Sequence, residues 1–163
     1  RVAQLQCRYA DGVRHAEQAV RTYQGVGHKA GEAEALNLVG WGQSHLGDYE
    51  QACASCRQAL ALNAETGNRR IEAALWDSLG YAEHHLRNFP EAAVCYQRAL
   101  SACREIGDRW GEAESLTHLG DTQHATGDLP QARKTWQQAL AVLEDLGHRD
   151  ADKLRAKLDQ IDS

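Results

Sequence analysis

The chain has 163 residues and a formal charge of −5, enough length for one domain and the wrong sign to attract a phosphate backbone, so direct nucleic-acid binding is not expected. It contains no apolar run long enough to span a membrane, and no signal peptide stands at its visible start. Alanine, leucine, glutamate, glutamine and arginine dominate, all good helix formers, and there are only two prolines.

A forty-residue spacing organises the chain. Glu32, Ala33, Gly40, Ala52, Ala59, Leu60 and Gly67 recur as Glu72, Ala73, Gly80, Ala92, Ala99, Leu100 and Gly107. They recur again as Glu112, Ala113, Gly120, Ala132, Ala139, Leu140 and Gly147, with no insertion or deletion. A fixed period of this length marks stacked units that complete one another's cores.

In chain order, residues 1–29 read as a partial repeat. Ala19 and Gly27 fall forty before Ala59 and Gly67, so His15 to Gln24 is expected to be the second helix of a unit. Its first helix is expected to be only partly present, in Arg1 to Arg8. The chain starts at Arg1 and has no methionine, so the expectation is a fragment with further repeats upstream. The edge near Leu5, Tyr9 and Val13 is then a candidate for self-association.

Residues 30–69, 70–109 and 110–149 read as three full units of two helices. In the middle unit, Leu75, Trp76, Leu79, Ala82 and Leu86 recur at three- and four-residue spacing, as do Ala92, Tyr96, Ala99, Leu100 and Cys103. Between the two helices, Asp48 with Gln51, Asn88 with Glu91, and Asp128 with Gln131 have capping-box spacing. Pro90 and Pro130 suit a first turn, and Gly47 and Gly127 suit a left-handed helix end. Arg87 stands where that glycine is expected, so this turn is expected to close differently. Gly40, Gly80 and Gly120 lie inside helices, which points to close approach of a neighbouring helix. Residues 150–163 keep Leu154, Leu158 and Ile161 on one face and are otherwise charged, the pattern of a capping helix.

Trp76, Leu79, Gly80, Ala92, Tyr96 and Ala99 match the Trp, Leu-Gly, Ala, aromatic and Ala positions of the tetratricopeptide pattern, and the chain resembles that family. Gln43, Glu83 and Gln123 stand where the family has a tyrosine. The resemblance implies an all-α, right-handed superhelical solenoid of antiparallel helix pairs. Its concave wall would be lined by the first helices, where extended peptides dock. The rows expected to face that groove are Glu34, Asn37, Leu38, Trp41 and His45; Asp77, Ser78, Tyr81, His84 and His85; and Glu114, Thr117, His118, Asp121 and His124.

These rows hold no lysine or arginine, so a carboxylate clamp on an acidic peptide is not expected. Glu34, Asp77, Glu114 and Asp121, with Trp41 and Tyr81 as apolar anchors, predict a neutral or basic partner segment carrying an aromatic or aliphatic side chain. His45, His84, His85 and His124 should add positive charge as pH falls toward the free-imidazole value near 6.5. Repeat-related histidines about 8–10 Å apart would not share an ion, so no metal site is expected.

Other chemistry is sparse. Cys53 and Cys56 have half the spacing of a zinc site, but no second pair follows and Cys56 stands in register with Tyr96 and Trp136, so a packing role is expected. The odd count of five cysteines suggests reduced thiols and a cytoplasmic location. There is no nucleophile–base pair, phosphate loop or HExxH, and nothing fixes the separation of Asp77, Glu83 and Asp121. Neither enzyme activity nor a cofactor is expected.

The repeat text GEAEAL, LG, GDYEQA, QAL and TG, with the tail LEDLGHRDADKLRAKL from Leu143 to Leu158, resembles the C-terminal tetratricopeptide arm of actinobacterial antibiotic-regulatory-protein-type transcriptional regulators. That implies a sensing or interaction role. Two alternatives stay open: a scaffold or motor-adaptor protein, and a peptide-pheromone receptor domain. Scaffolds of that kind carry an asparagine after the Leu-Gly pair, where this chain has Trp41, Tyr81 and Asp121.

Overall fold

The computed structural model describes residues 2–161, and all regular structure among them is helical. Eight helices follow in order: α1 (Val2–Gly25), α2 (Lys29–Leu46), α3 (Tyr49–Thr66), α4 (Arg69–His85), α5 (Phe89–Ile106), α6 (Arg109–Ala125), α7 (Leu129–Asp145) and α8 (Asp150–Ile161). Each packs antiparallel on the next. Successive first helices also touch, α2 on α4 and α4 on α6, whereas α3, α5 and α7 have no comparable packing on one another among the described residues. The first helices are therefore crowded to the inside of a curve, and the result is an all-α solenoid.

One expectation fails at the start. Arg1 lies outside the described residues, and Val2 to Arg8 form no separate helix, because from Val2 the chain continues without a break through α1. Gly12 is the only glycine in this stretch before Gly25, no proline follows it, and one glycine costs only about 1 kcal/mol in a helix.

The turns show why sequence signals mislead. Arg87 takes φ +64°, the same left-handed state as Gly47 and Gly127, so the middle turn closes as the others do despite its side chain. Asp48 makes no side-chain cap, and neither does Asn88. The Asn88 amide instead donates to buried Glu83 Oε2 at 2.8 Å. Only Asp128 of the three caps its helix, accepting from the Gln131 amide at 3.2 Å. Working caps also stand before the first helices, where His28, Asn68 and Asp108 accept from amides in the opening turn.

The core is a seam of alanines flanked by larger residues. Ala52, Ala59, Ala92, Ala99, Ala132 and Ala139 are all 0% exposed, which lets the second helices lie close to their neighbours. Interior glycines complete the contact. A Cβ on Gly80 would lie 2.8 Å from the Tyr96 ring, and one on Gly40 would lie 2.7 Å from Cys56 Sγ. What Gly40, Gly80 and Gly120 admit is thus the large side chain of the paired second helix. At the C-terminal end, Ala151 and Leu154 of α8 are buried against Leu143 and Trp136.

The position where a tyrosine is usual holds a polar group with an interhelical task. Glu83 is 2% exposed and pairs with Arg57 of α3 as well as Asn88. Gln43, its counterpart one unit earlier, accepts from the Ser55 hydroxyl at 2.9 Å. Four cysteines are buried, and burial raises Cys53 and Cys56 to about 12 and Cys95 and Cys103 to about 11. These thiols pack and do not ionise near neutral pH.

Candidate functional site: the concave wall

The first helices bring most of the predicted rows onto one surface. Its main feature is a ladder of rings. Trp41 and His45, one turn apart on α2, meet at 4.0 Å between centroids. Tyr81 and His85 repeat that pair on α4 at 4.3 Å. His45 stacks on Tyr81 at 5.6 Å with planes 4° apart, which joins the two units. Two tyrosines flank the ladder: Tyr9, inside α1, meets His45 at 4.7 Å, and Tyr49, at the start of α3, meets His85 at 4.8 Å. Trp41 is 46% exposed, so the ladder presents a large apolar face to solvent.

The imidazoles have fixed proton positions. His45 Nδ1 lies 2.9 Å from the Trp41 carbonyl and His85 Nδ1 lies 2.9 Å from the Tyr81 carbonyl. A carbonyl only accepts, so each Nδ1 carries the proton and each neutral ring leaves Nε2 as an acceptor. His84 follows the same rule through Thr122, whose hydroxyl donates to the His118 carbonyl and so accepts from His84 Nδ1 at 2.9 Å.

His84 and His118 do not stand free in the groove. Both are half-buried, and their titrations diverge. Burial, and then His85, lower the His84 value. Burial works to lower His118 too, but the Asp77 carboxylate at 3.2 Å prevails and raises it to about 8. His118 is thus already largely cationic at neutral pH, and His84 gains charge only at lower pH than a free imidazole. Glu114 lies open on the wall, yet the surrounding protein, and then Asp77, raise its carboxyl.

The third unit breaks the ladder. Asp121 replaces Trp41 and Tyr81, and Ala125 replaces His45 and His85. Lys157 of α8 reaches Asp121 at 2.6 and 2.8 Å, and Trp136 Nε1 donates to the same carboxylate at 3.1 Å. The predicted rows lack lysine and arginine, but the wall gains Lys157 from the capping helix and Arg70 at a cleft edge. Asp121 is a clasp for α8 rather than an unpaired groove carboxylate. His124 is exposed near Trp136, at 5.4 Å, at the far end of the wall.

Comparison with known proteins agrees with this architecture. Two tetratricopeptide-repeat family models match, one over residues 70–145 and one over residues 33–66. The chain is a tetratricopeptide-repeat protein. No curated protein matches its sequence. Its fold is similar to the crystal structure of BtubC (BKLC) from P. vanneervenii, with a TM-score of 0.75 at 16% identity, covering 99% of this chain and 83% of that one. At that identity the likeness concerns the fold alone.

Tetratricopeptide repeats form protein-interaction scaffolds. Among the described residues, no three His, Cys, Asp or Glu side chains are grouped to hold a metal, and no helix is long and apolar enough to cross a membrane. Of the predicted residues, Trp41, His45, Tyr81 and His85 come together as the ladder. Asn37, Trp41, Asp77 and Glu114 share a cleft of about 290 Å³. Thr117, His118 and Glu114 line another, of about 210 Å³, against α8. Glu34 and Leu38 are exposed, and Ser78 is buried. At the other end, Leu5, Tyr9 and Val13 line a cleft of about 440 Å³ with Leu38 and Trp41.

Sequence reasoning placed Tyr9 at the N-terminal edge rather than beside the ladder, and missed Tyr49, Trp110 and Lys157. Tyr9, Tyr49 and Phe89 recur at the forty-residue period, so that signal was present. Trp110 is 40% exposed and lines two of the clefts, but its counterparts Ala30 and Arg70 give no hint of it.

Proposed function

We propose that the concave wall binds an extended segment of a partner protein. The ring ladder carries this reading: two repeat-related pairs, Trp41 with His45 and Tyr81 with His85, leave aromatic surface open where a monomeric protein would ordinarily cover it. The segment is neutral or basic, with an aromatic or aliphatic side chain against Trp41 and Tyr81. Glu34, Asp77 and Glu114 set the preferred sign. Because its carboxyl is raised, Glu114 loses its charge at a higher pH than an ordinary glutamate, and a basic segment should bind more weakly as pH falls.

Selection of a displayed peptide library on the domain tests this. Selected peptides should lose at least tenfold in affinity on Trp41→Ala or Tyr81→Ala. Tight binding of an acidic peptide, unchanged by both substitutions, would place the site on another surface.

We further propose that the domain is the interaction arm of a bacterial transcriptional regulator acting in the cytoplasm. The support is the resemblance carried by the repeat text and by Leu143 to Leu158. The coding sequence around this segment tests it: an adjoining nucleotide-binding ATPase module supports the reading, and a free-standing solenoid counts against it.

A further inference from the structure

Beside the ladder lies a pocket that the ladder does not use. Because α4 lies between α2 and α6, its Ala73 and Ala74 give the pocket a small-residue floor between Trp41 on one side and Trp110 on the other. At about 290 Å³ it is at the lower edge of small-molecule sites, the size for one long side chain of a bound segment.

Its polar groups are incompletely partnered. Asp77 Oδ1 is shared by Ser115 and His118, each at 3.2 Å. Asp108 Oδ1 caps α6 through the Gly111 amide at 2.9 Å and meets no cation. Glu114 makes no hydrogen bond or ion pair among the described residues; the surrounding protein, and then Asp77, raise its carboxyl against the opposing pull of His118. The Asn37 amide oxygen is buried in the wall without a donor. An unmet buried acceptor is costly, and an arriving donor would recover that cost. Against the three carboxylates stand Arg70 at the edge and the cationic His118 on Asp77, so the lining stays net acidic.

We infer that this pocket takes one arginine side chain of the bound segment, its guanidinium between Trp41 and Trp110 and paired with Glu114. This rests on the groove reading above and adds the identity of one recognised residue. Arginine fits better than lysine because a guanidinium is flat, sheds water readily, stacks on indole and offers five donors in a fork. An acidic or phosphorylated side chain would meet three carboxylates.

The test uses the library-selected peptides on the full chain. Selected peptides should share an arginine, and replacing it with citrulline, its uncharged isostere, should weaken binding at least tenfold. Glu114→Gln should cost a similar factor and erase the difference between arginine and citrulline. Glu114 is exposed and unpaired, so this variant should fold. Arg70→Glu should tighten arginine peptides about threefold. Trp41-dependent binding with no arginine preference, or with no response to Glu114→Gln, would overturn the inference and leave the groove reading standing. An absence of Trp41-dependent binders would overturn both.

Discussion

Gly120→Ala is the sharpest probe of the packing that holds the groove open. A Cβ at this position would lie 2.5 Å from Trp136 Nε1 and 3.0 Å from Cγ. The indole cannot yield without loss, because its Nε1 donates to the Thr117 carbonyl at 3.3 Å and to Asp121 at 3.1 Å. Overpacking a core costs about 1–3 kcal/mol, and losing a hydrogen bond to a charged group about 1.5–3. Better helix propensity returns only about 1 kcal/mol. The net loss should be about 3 kcal/mol, or roughly 6–12 °C in Tm for a chain this long. Urea unfolding followed by circular dichroism measures it. The loss should shrink in a Trp136→Ala background, which removes the ring that the new Cβ would meet. There, Gly120→Ala should cost less than about 1 kcal/mol. Equal losses in both backgrounds would refute the claim that the glycine exists to admit Trp136.

The histidines should separate by NMR: His118 titrates near 8, and His84 below the free-imidazole range. Because the His118 value is raised on folding, the stability it contributes, at most about 2 kcal/mol, is complete below pH 6.5 and lost as pH rises through 8. Asp77→Asn should remove that dependence. Glu83→Leu should destabilise by about 1–3 kcal/mol by leaving Asn88 and Arg57 without their acceptor, and Glu83→Gln by less, again read from urea midpoints. A thiol reagent at pH 8 should label only Cys7 in the native state and all five cysteines in denaturant, since the other four are buried with thiols raised to about 11–12.

The fold was legible because it is written three times. A forty-residue register of alanines and glycines leaves little choice of architecture, and the apolar spacing of each helix agrees with it. The site was half legible for the same reason. Trp41 and Tyr81 share a register position, so their common surface could be inferred. Trp110 has no like residue at its register position, Lys157 lies beyond the last repeat, and only the three-dimensional path of α8 reveals that Lys157 closes on Asp121. Burial was equally hidden. His84 and His118 occupy groove rows, yet their charge is decided by the depth of the wall, by His85, and by Asp77, which lies about forty residues from His118 in sequence. The capping boxes misled because a local spacing cannot show that Asn88 has a buried carboxylate, Glu83, within reach.

The central claim is that the first helices, and not the second, form the docking surface. Backbone amide shift mapping of the isotope-labelled chain with a library-selected peptide tests it most directly. Perturbations should trace Trp41, His45, Asp77, Tyr81, His85 and Glu114 along α2, α4 and α6, and should vanish with Trp41→Ala. Perturbations confined to the outer faces of α3, α5 and α7 would contradict the account.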